Sequence, residues 1–124
     1  KAFITVISGG AAILTGTAVA LRPAASGETT VLAVQPKEGG HSRGAVRIDP
    51  VDRAAGEAVL ALQDAGDIPT AWQDEAVALA ARLAFEQLGL RRLSAAEAEA
   101  FARAGWTRTE GRFILDDKSY WERA

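Results

Sequence analysis

The chain opens with a stretch of uncharged residues that covers positions 2–21. Lys1 precedes the stretch, and Arg22 and Pro23 end it. About twenty apolar residues is the length that an α-helix needs to cross the hydrocarbon core of a bilayer. We therefore expect residues 1–22 to form a single N-terminal transmembrane helix that anchors the chain.

Small residues within this stretch favour close contact with a neighbouring helix. Gly9, Gly10 and Gly16 carry no side chain, so a second backbone can approach them closely in a membrane. We predict that these three glycines contact other protein subunits of a membrane complex, in addition to the lipid bilayer.

Other interpretations of the same stretch remain open. Ala18, Val19 and Ala20 have the form of a signal-peptidase site, so the segment also fits a retained signal peptide. Its many β-branched residues favour strands. In that case residues 17–21 would pair with residues 31–35, and the chain would be a soluble or secreted α+β binding module. A pilin-like filament subunit is a further variant of the anchored form.

Composition narrows the classes of function. The net charge is −2 with both signs interspersed, so no overall basic field attracts nucleic acid. The chain has no cysteine, which excludes disulfides, thiol catalysis and cysteine metal sites. The abundance of alanine and arginine is typical of proteins from GC-rich bacterial genomes.

Residues 23–48 are predicted to form a linker with two short strands. Residues 29–35 are rich in β-branched and aliphatic side chains and end at Pro36. Residues 45–48 also contain β-branched and aliphatic side chains and form the second candidate strand. Between them, residues 37–44 are polar and glycine-rich, which is typical of a loop.

Residues 49–124 are predicted to form an α-rich soluble domain with three capped helices. The first would run over residues 50–65 after Asp49, the second would begin at Thr70 and end at Leu88, and the third would open at Ser94 and end at Ala104. A glycine follows each helix, as it often does at a helix end, namely Gly66, Gly89 and Gly105.

The C-terminal part is predicted to contain a hairpin and a final helical turn. Residues 106–115 surround the turn signal Glu110 and Gly111, and residues 116–124 begin with a capping aspartate. The predicted fold is therefore a single N-terminal transmembrane helix followed by a small α+β domain that is mainly helical, with short strands and a C-terminal hairpin.

No set of residues in the sequence has the pattern of a catalytic, cofactor or metal site. His41, the single histidine, lies in a glycine-rich loop without an evident partner carboxylate, and the loop matches no phosphate-binding motif. The acidic pairs Asp64 with Asp67 and Asp116 with Asp117 lack the spacing of a calcium loop. A small enzyme that uses His41 is the least favoured alternative.

Arginines concentrate in the C-terminal half, where Arg91 and Arg92 are adjacent. A nucleic-acid surface is one interpretation of this cluster. Interleaved glutamates such as Glu97 and Glu99 lower the local field, so we expect surface ion pairs and no nucleic-acid partner.

Tyr120 and Trp121 lie near the end of the chain, where side chains are difficult to bury. Aromatic residues are favoured at the centres of protein interfaces, so both are predicted to contact a partner. The sequence thus favours a non-catalytic, single-pass subunit of an inner-membrane assembly, with its soluble domain outside the cytoplasm.

Overall fold

The computed structural model describes residues 3–6, 12–15, 19–25, 29–36 and 41–123, with side chains from residue 29 onward. The described chain forms nine strands: β1 (Phe3–Val6), β2 (Ala12–Thr15), β3 (Val19–Ala25), β4 (Thr30–Pro36), β5 (Ala45–Asp52), β6 (Glu57–Gln63), β7 (Arg92–Ala96), β8 (Thr107–Thr109) and β9 (Arg112–Asp116). Its helices are α1 (Thr70–Arg82), α2 (Glu99–Arg103) and α3 (Asp117–Arg123). A 3₁₀ turn covers Ala65–Asp67, and a π-helical turn, Leu83–Gln87, extends α1.

All nine strands belong to one sheet, in the order β1-β2-β3-β4-β5-β6-β7-β9-β8. Every pair is antiparallel except β6 and β7, which are parallel. Parallel neighbours need a long crossover, and here α1 and its π-helical turn provide it. This single parallel pair distinguishes the middle of the sheet from its two edges.

The described parts of the N-terminal segment, residues 3–6, 12–15 and 19–22, are extended, so the predicted transmembrane helix over residues 1–22 is wrong. β1 and β2 lie within that segment and β3 overlaps it, and β2 pairs antiparallel with both β1 and β3. The alternative pairing of residues 17–21 with 31–35 is observed for residues 20 and 21, since Ala20 pairs with Gln35 and Leu21 with Val34. Among the described residues, no helix has the length and apolar character needed to cross a membrane.

The hydrophobic core lies on one face of the sheet. Buried side chains alternate with partly or fully exposed ones along each central strand, and the buried set comprises Val46 and Ile48 on β5, Ala58 and Leu60 on β6, and Leu93 and Ala95 on β7. The helices add Val77, Leu79 and Phe101 to the same cluster, and Tyr120 of α3 packs against it. All three helices therefore cover the same face, which we call the helix face; the other is the open face.

The predicted helix over residues 50–65 is also wrong, because β5 and β6 form a hairpin there. Ile48 pairs with Leu60 and Val46 with Leu62. The turn contains Gly56 with a φ of +71°, a conformation that a helix interior does not allow. The domain is therefore a mixed sheet covered by helices on one face, and it is not mainly helical.

The second predicted helix is confirmed as α1 and its π-helical turn, but its start differs in detail. Pro69 is the N-cap residue, and no side chain caps the helix. The third predicted helix, from Ser94 to Ala104, is wrong at its start, because Ser94 lies in β7 and α2 is only five residues long. The predicted hairpin is confirmed by the pairing of β8 with β9, and Asp116 caps α3 by accepting the Ser119 N–H.

Candidate functional site

The parallel strands β6 and β7 separate after a short region of pairing. Residues 57–59 of β6 pair with residues 92–94 of β7, and the pairing ends there. β6 continues to pair with β5 as far as Gln63, while β7 continues with β9 as far as Ala96. Beyond Val59, therefore, the peptide groups that face the gap have no partner on the opposite strand.

A cleft of about 290 Å³ occupies this gap. Leu60, Leu62 and Phe101 line it from the helix face, since all three belong to the core cluster or pack against it. Val59 and Ala61, whose side chains alternate with those leucines, line it from the open face. The cleft is therefore a passage that connects the two faces of the sheet.

The walls of the cleft are mostly aliphatic. Its described polar lining residues are Gln73, Glu97, Glu99 and Arg112. Glu97 forms an ion pair with Arg108 of β8. The Glu99 side chain is 94% exposed, so it points into solvent more than into the cleft.

The loop that follows β6 forms one end of the cleft and is fixed by Gln73. The side-chain amide of Gln73 donates hydrogen bonds to the carbonyl oxygens of Ala65, at 3.0 Å, and Ile68, at 2.9 Å. Ile68 is buried, and it packs so closely on Gly44 that a Cβ at Gly44 would lie 2.7 Å from its side chain. Gln73 therefore holds this loop against α1.

The N-terminus of α1 lies beside this loop and has free donors. Trp72 and Gln73 both donate their N–H groups to the Pro69 carbonyl, whereas Thr70 and Ala71 have no backbone acceptor within the described part of the chain. No acidic residue lies in the first turn. Free N–H groups at a helix N-terminus favour an anionic ligand.

Both positively and negatively charged side chains lie near the N-terminus of α1. The guanidinium of Arg43 lies over the ring of Trp72, 5.5 Å from its centroid, and places a positive charge at the first turn of α1. Asp64 and Asp67 are exposed on the loop and oppose that charge. The backbone N–H groups, more than net charge, would therefore attract an anion here.

A separate cavity of about 330 Å³ lies between α1 and α3 on the helix face. Two of its polar residues already pair, since Arg103 donates to the Asp74 carboxylate at 2.8 Å. Arg123 donates to the carbonyl oxygens of Ala104 and Gly105. This cavity has no diverging strand edges, so we place the candidate site in the cleft.

Several residues singled out in the sequence lie away from the cleft. His41 is exposed before β5, and Trp121 is 54% exposed on α3. Gly9, Gly10 and Gly16 lie outside the described residues. The predicted contact of Tyr120 and Trp121 with a partner remains a prediction, as does the contact of the three glycines.

No protein-family model and no curated protein matches the sequence. The fold nevertheless resembles solved structures. A protein from Chromobacterium violaceum assigned to the GNAT family of acetyltransferases has a TM-score of 0.72 and 17% identity, over 87% of each chain. Spermidine N-acetyltransferase from Vibrio cholerae has a TM-score of 0.67 and 11% identity, over 80% of this chain and 71% of the other. The same enzyme in complex with CoA and spermine gives 0.66 and 10%, over 76% and 69%.

These likenesses show the fold and correct the predicted role. The expected non-catalytic membrane subunit, located in the inner membrane, depended on a transmembrane helix, and the segment consists of strands in its described parts. The solved structures named above share the fold and are acetyltransferases. The predictions of a membrane location, of an accessory subunit and of a protein without enzymatic activity are therefore wrong.

Proposed function

We propose that this chain transfers an acyl group from a coenzyme A thioester to an amine. The observation that carries the proposal is the cleft between β6 and β7, which crosses the sheet and ends at the uncapped N-terminus of α1. Supporting it is the likeness of the fold to acetyltransferases, one of which has been solved with CoA and spermine.

The cleft fits the narrow pantetheine arm of coenzyme A. Ala61, Ala96 and Ala98 are small, so an extended chain can pass between the strands without displacing a large side chain. Residues 60–63 pair with β5 on one side, and those of their peptide groups that face the gap would hydrogen-bond to amide groups of the arm, as an added strand does at a sheet edge. The apolar wall would exclude water from the reacting atoms.

The loop and the N-terminus of α1 fit the phosphates. The N–H groups of Thr70 and Ala71 are available to phosphate oxygens, and Arg43 contributes a positive charge nearby. Asp64 and Asp67 act against binding, because each adds a negative charge to the same loop. The residues present therefore fit coenzyme A, with affinity reduced by these two carboxylates.

A bound coenzyme A thioester would supply an activated acyl carbon. Transfer forms a bond between the amine nitrogen and that carbon and breaks the carbon–sulfur bond, so the amine loses one proton and the sulfur gains one. The cleft residues act mainly by holding the acceptor amine near the passage, since positioning alone lowers a barrier substantially. Glu97 is the carboxylate in the cleft wall that takes the proton from the amine.

The proposal is tested by titrating the chain with CoA and by assaying acetyl transfer to primary amines. Because the chain contains no cysteine, a thiol reagent reports only the CoA that is released. We expect saturable CoA binding and release of CoA that depends on added amine. A folded chain that binds no CoA at millimolar concentration would overturn the proposal.

A cleft-filling variant locates the activity. Ala61→Leu adds bulk within the passage and should weaken CoA binding at least about tenfold. Ala54→Leu, a matched change on the exposed turn between β5 and β6, should bind CoA as the parent chain does. Circular dichroism of both variants separates loss of binding from loss of fold.

A further inference from the structure

A second cavity adjoins the passage on the open face of the sheet. Its volume is about 280 Å³, and residues of β6, β7 and β9 contribute most of its lining. Its polar side chains are Glu57, Arg92, Ser94 and Arg112. The open face thus has a polar cavity beside a mostly apolar passage.

Arg112 lines both the passage and this second cavity. It pairs with Ala96, where β7 has already separated from β6. Its guanidinium Nη2 donates to the Ser94 hydroxyl oxygen at 3.2 Å, so the side chain extends back along β7. The two cavities therefore meet at Arg112.

Arg92 supplies a second guanidinium to the same cavity. Its Nη1 lies 4.0 Å from a carboxylate oxygen of Glu57, and both side chains are more than a third exposed, so this ion pair is weak. Most of the hydrogen-bond donors of Arg92 therefore remain available to a ligand.

The other carboxylate near Arg92 is already engaged. Asp116 pairs with Arg92 across β7 and β9, and its Oδ1 accepts the Ser119 N–H at the start of α3. This hydrogen bond lowers the pKa of Asp116 and keeps the carboxylate ionised. The lining of the cavity itself carries two arginines and one glutamate, so its excess charge is positive.

From this geometry we propose that the acceptor amine also carries an anionic group, a carboxylate or a phosphate, which Arg92 and Arg112 bind. The inference rests on the proposed acyl transfer, because the passage places the amine next to this cavity. Paired guanidinium groups recognise carboxylates and phosphates with directional, charge-assisted hydrogen bonds. A polyamine carries only positive charges and would be repelled by both arginines.

The strand spacing indicates the length of the acceptor. Ser94, which holds the Arg112 guanidinium, lies two residues before Ala96 at the passage, and two residues of a strand span roughly 7 Å. The amine and the anionic group should therefore be separated by a chain of several bonds. ε-Aminocaproate has such a chain, and aminohexanol and hexamethylenediamine offer the same length with a neutral or a cationic end.

The test compares kcat/KM for acetyl transfer to these three acceptors. The parent chain should prefer ε-aminocaproate to hexamethylenediamine. Arg92→Gln and Arg112→Gln should each reduce the ratio of kcat/KM for ε-aminocaproate to kcat/KM for aminohexanol by about tenfold to a hundredfold, as expected for loss of a charge-assisted hydrogen bond. 4-Aminobutyl phosphate, which has the same number of bonds between the amine and the anionic group as ε-aminocaproate, serves as a fourth acceptor and distinguishes phosphate from carboxylate.

Arg123→Gln is the matched control. Arg123 lies on α3, on the helix face, and donates to the carbonyl oxygens of Ala104 and Gly105. Its loss should leave the preference for the carboxylate unchanged. Two results would overturn this inference alone. One is an equal loss of kcat/KM for all acceptors in Arg92→Gln and Arg112→Gln, and the other is a preference of the parent chain for the diamine. CoA binding without transfer to any acceptor would overturn the proposed function as well.

Discussion

The hydroxyl of Tyr120 donates a hydrogen bond to Oε2 of Glu86 and so joins α3 to the π-helical turn that extends α1. The ring of Tyr120 also stacks on Phe85, with 4.9 Å between the centroids. Burial of the Tyr120 hydroxyl and, to a smaller extent, its hydrogen bond to the Glu86 carboxylate raise the pKa of Tyr120 from 10.0 to about 12. The contact therefore depends on a protonated hydroxyl.

The first prediction is that the phenol titrates with a midpoint near pH 12. Because a raised pKa means that the folded state holds the proton more tightly, the stabilisation is complete below pH 10 and is lost as the pH rises from 10 to about 12. Tyr120 is the only tyrosine, so the ultraviolet absorbance of tyrosinate reports this residue alone.

Glu86→Gln should move that midpoint back toward 10, because the hydrogen bond then lacks a charged acceptor. Glu122→Gln removes an exposed carboxylate on the same helix and should leave the midpoint unchanged. A parent chain that titrates at pH 10 would show that the Tyr120–Glu86 contact does not form in solution.

The second prediction concerns Gly44, which has a φ of +82°. A Cβ there would lie 2.7 Å from the Gln63 carbonyl oxygen and from the Ile68 side chain. Gly44→Ala should therefore lower the free energy of unfolding by about 2–4 kcal/mol, which is more than the cost of the left-handed backbone alone.

Gly111→Ala is the control for Gly44→Ala, because Gly111 has a φ of +78° but a Cβ there would meet open space. It should cost only about 1–2 kcal/mol, the conformational term alone. Urea unfolding of both variants measures the difference. Equal losses would mean that the close packing of Gly44 on Ile68 is not needed for stability.

The amino-acid pattern predicted the C-terminal hairpin, the long helix and the strands at residues 29–35 and 45–48, but the favoured interpretation did not predict the nine-stranded sheet of the described chain, to which those strands belong. Strong local features mark the hairpin and the helix: Gly111 at the hairpin turn, and the apolar spacing of α1 before Gly89. Residues 2–21 and 50–65 are ambiguous, because runs of alanine, valine and leucine satisfy a helix and a buried strand equally well. Pairing with other strands decides between helix and strand, and the pairing of Ile48 with Leu60 is an example.

The candidate site could not be predicted for the same reason. It exists because β6 and β7, separated along the chain by α1, pair over three residues and then diverge. Arg92 belongs to an arginine-rich part of the sequence, but that pattern alone does not distinguish a ligand site from surface ion pairs. Only the β7–β9 pairing brings the guanidinium of Arg112 back toward Ser94 and Arg92.

The third prediction concerns Gln73, which ties the loop at residues 64–69 to α1. Gln73→Leu removes two hydrogen bonds to the carbonyl oxygens of Ala65 and Ile68 and should lower the free energy of unfolding by about 1–3 kcal/mol. It should also weaken CoA binding, because the loop forms one end of the cleft. Gln35→Leu, which breaks an exposed hydrogen bond to Ser42, should have little effect on either quantity. Loss of stability without loss of CoA affinity would place the CoA phosphates away from this loop.

The fourth prediction concerns the acidic residues of the same loop. Asp67 is exposed one turn before the free N–H groups of α1, where a negative charge opposes an anionic ligand. Asp67→Asn should therefore tighten CoA binding by about twofold to tenfold at low salt, and the gain should shrink at high salt because ions screen exposed charges. Glu110→Gln removes an exposed carboxylate at the remote β8–β9 turn and should not change the affinity. Titration of both variants with CoA at two ionic strengths measures the effect, and weaker binding by Asp67→Asn would mean that this loop does not receive the phosphates.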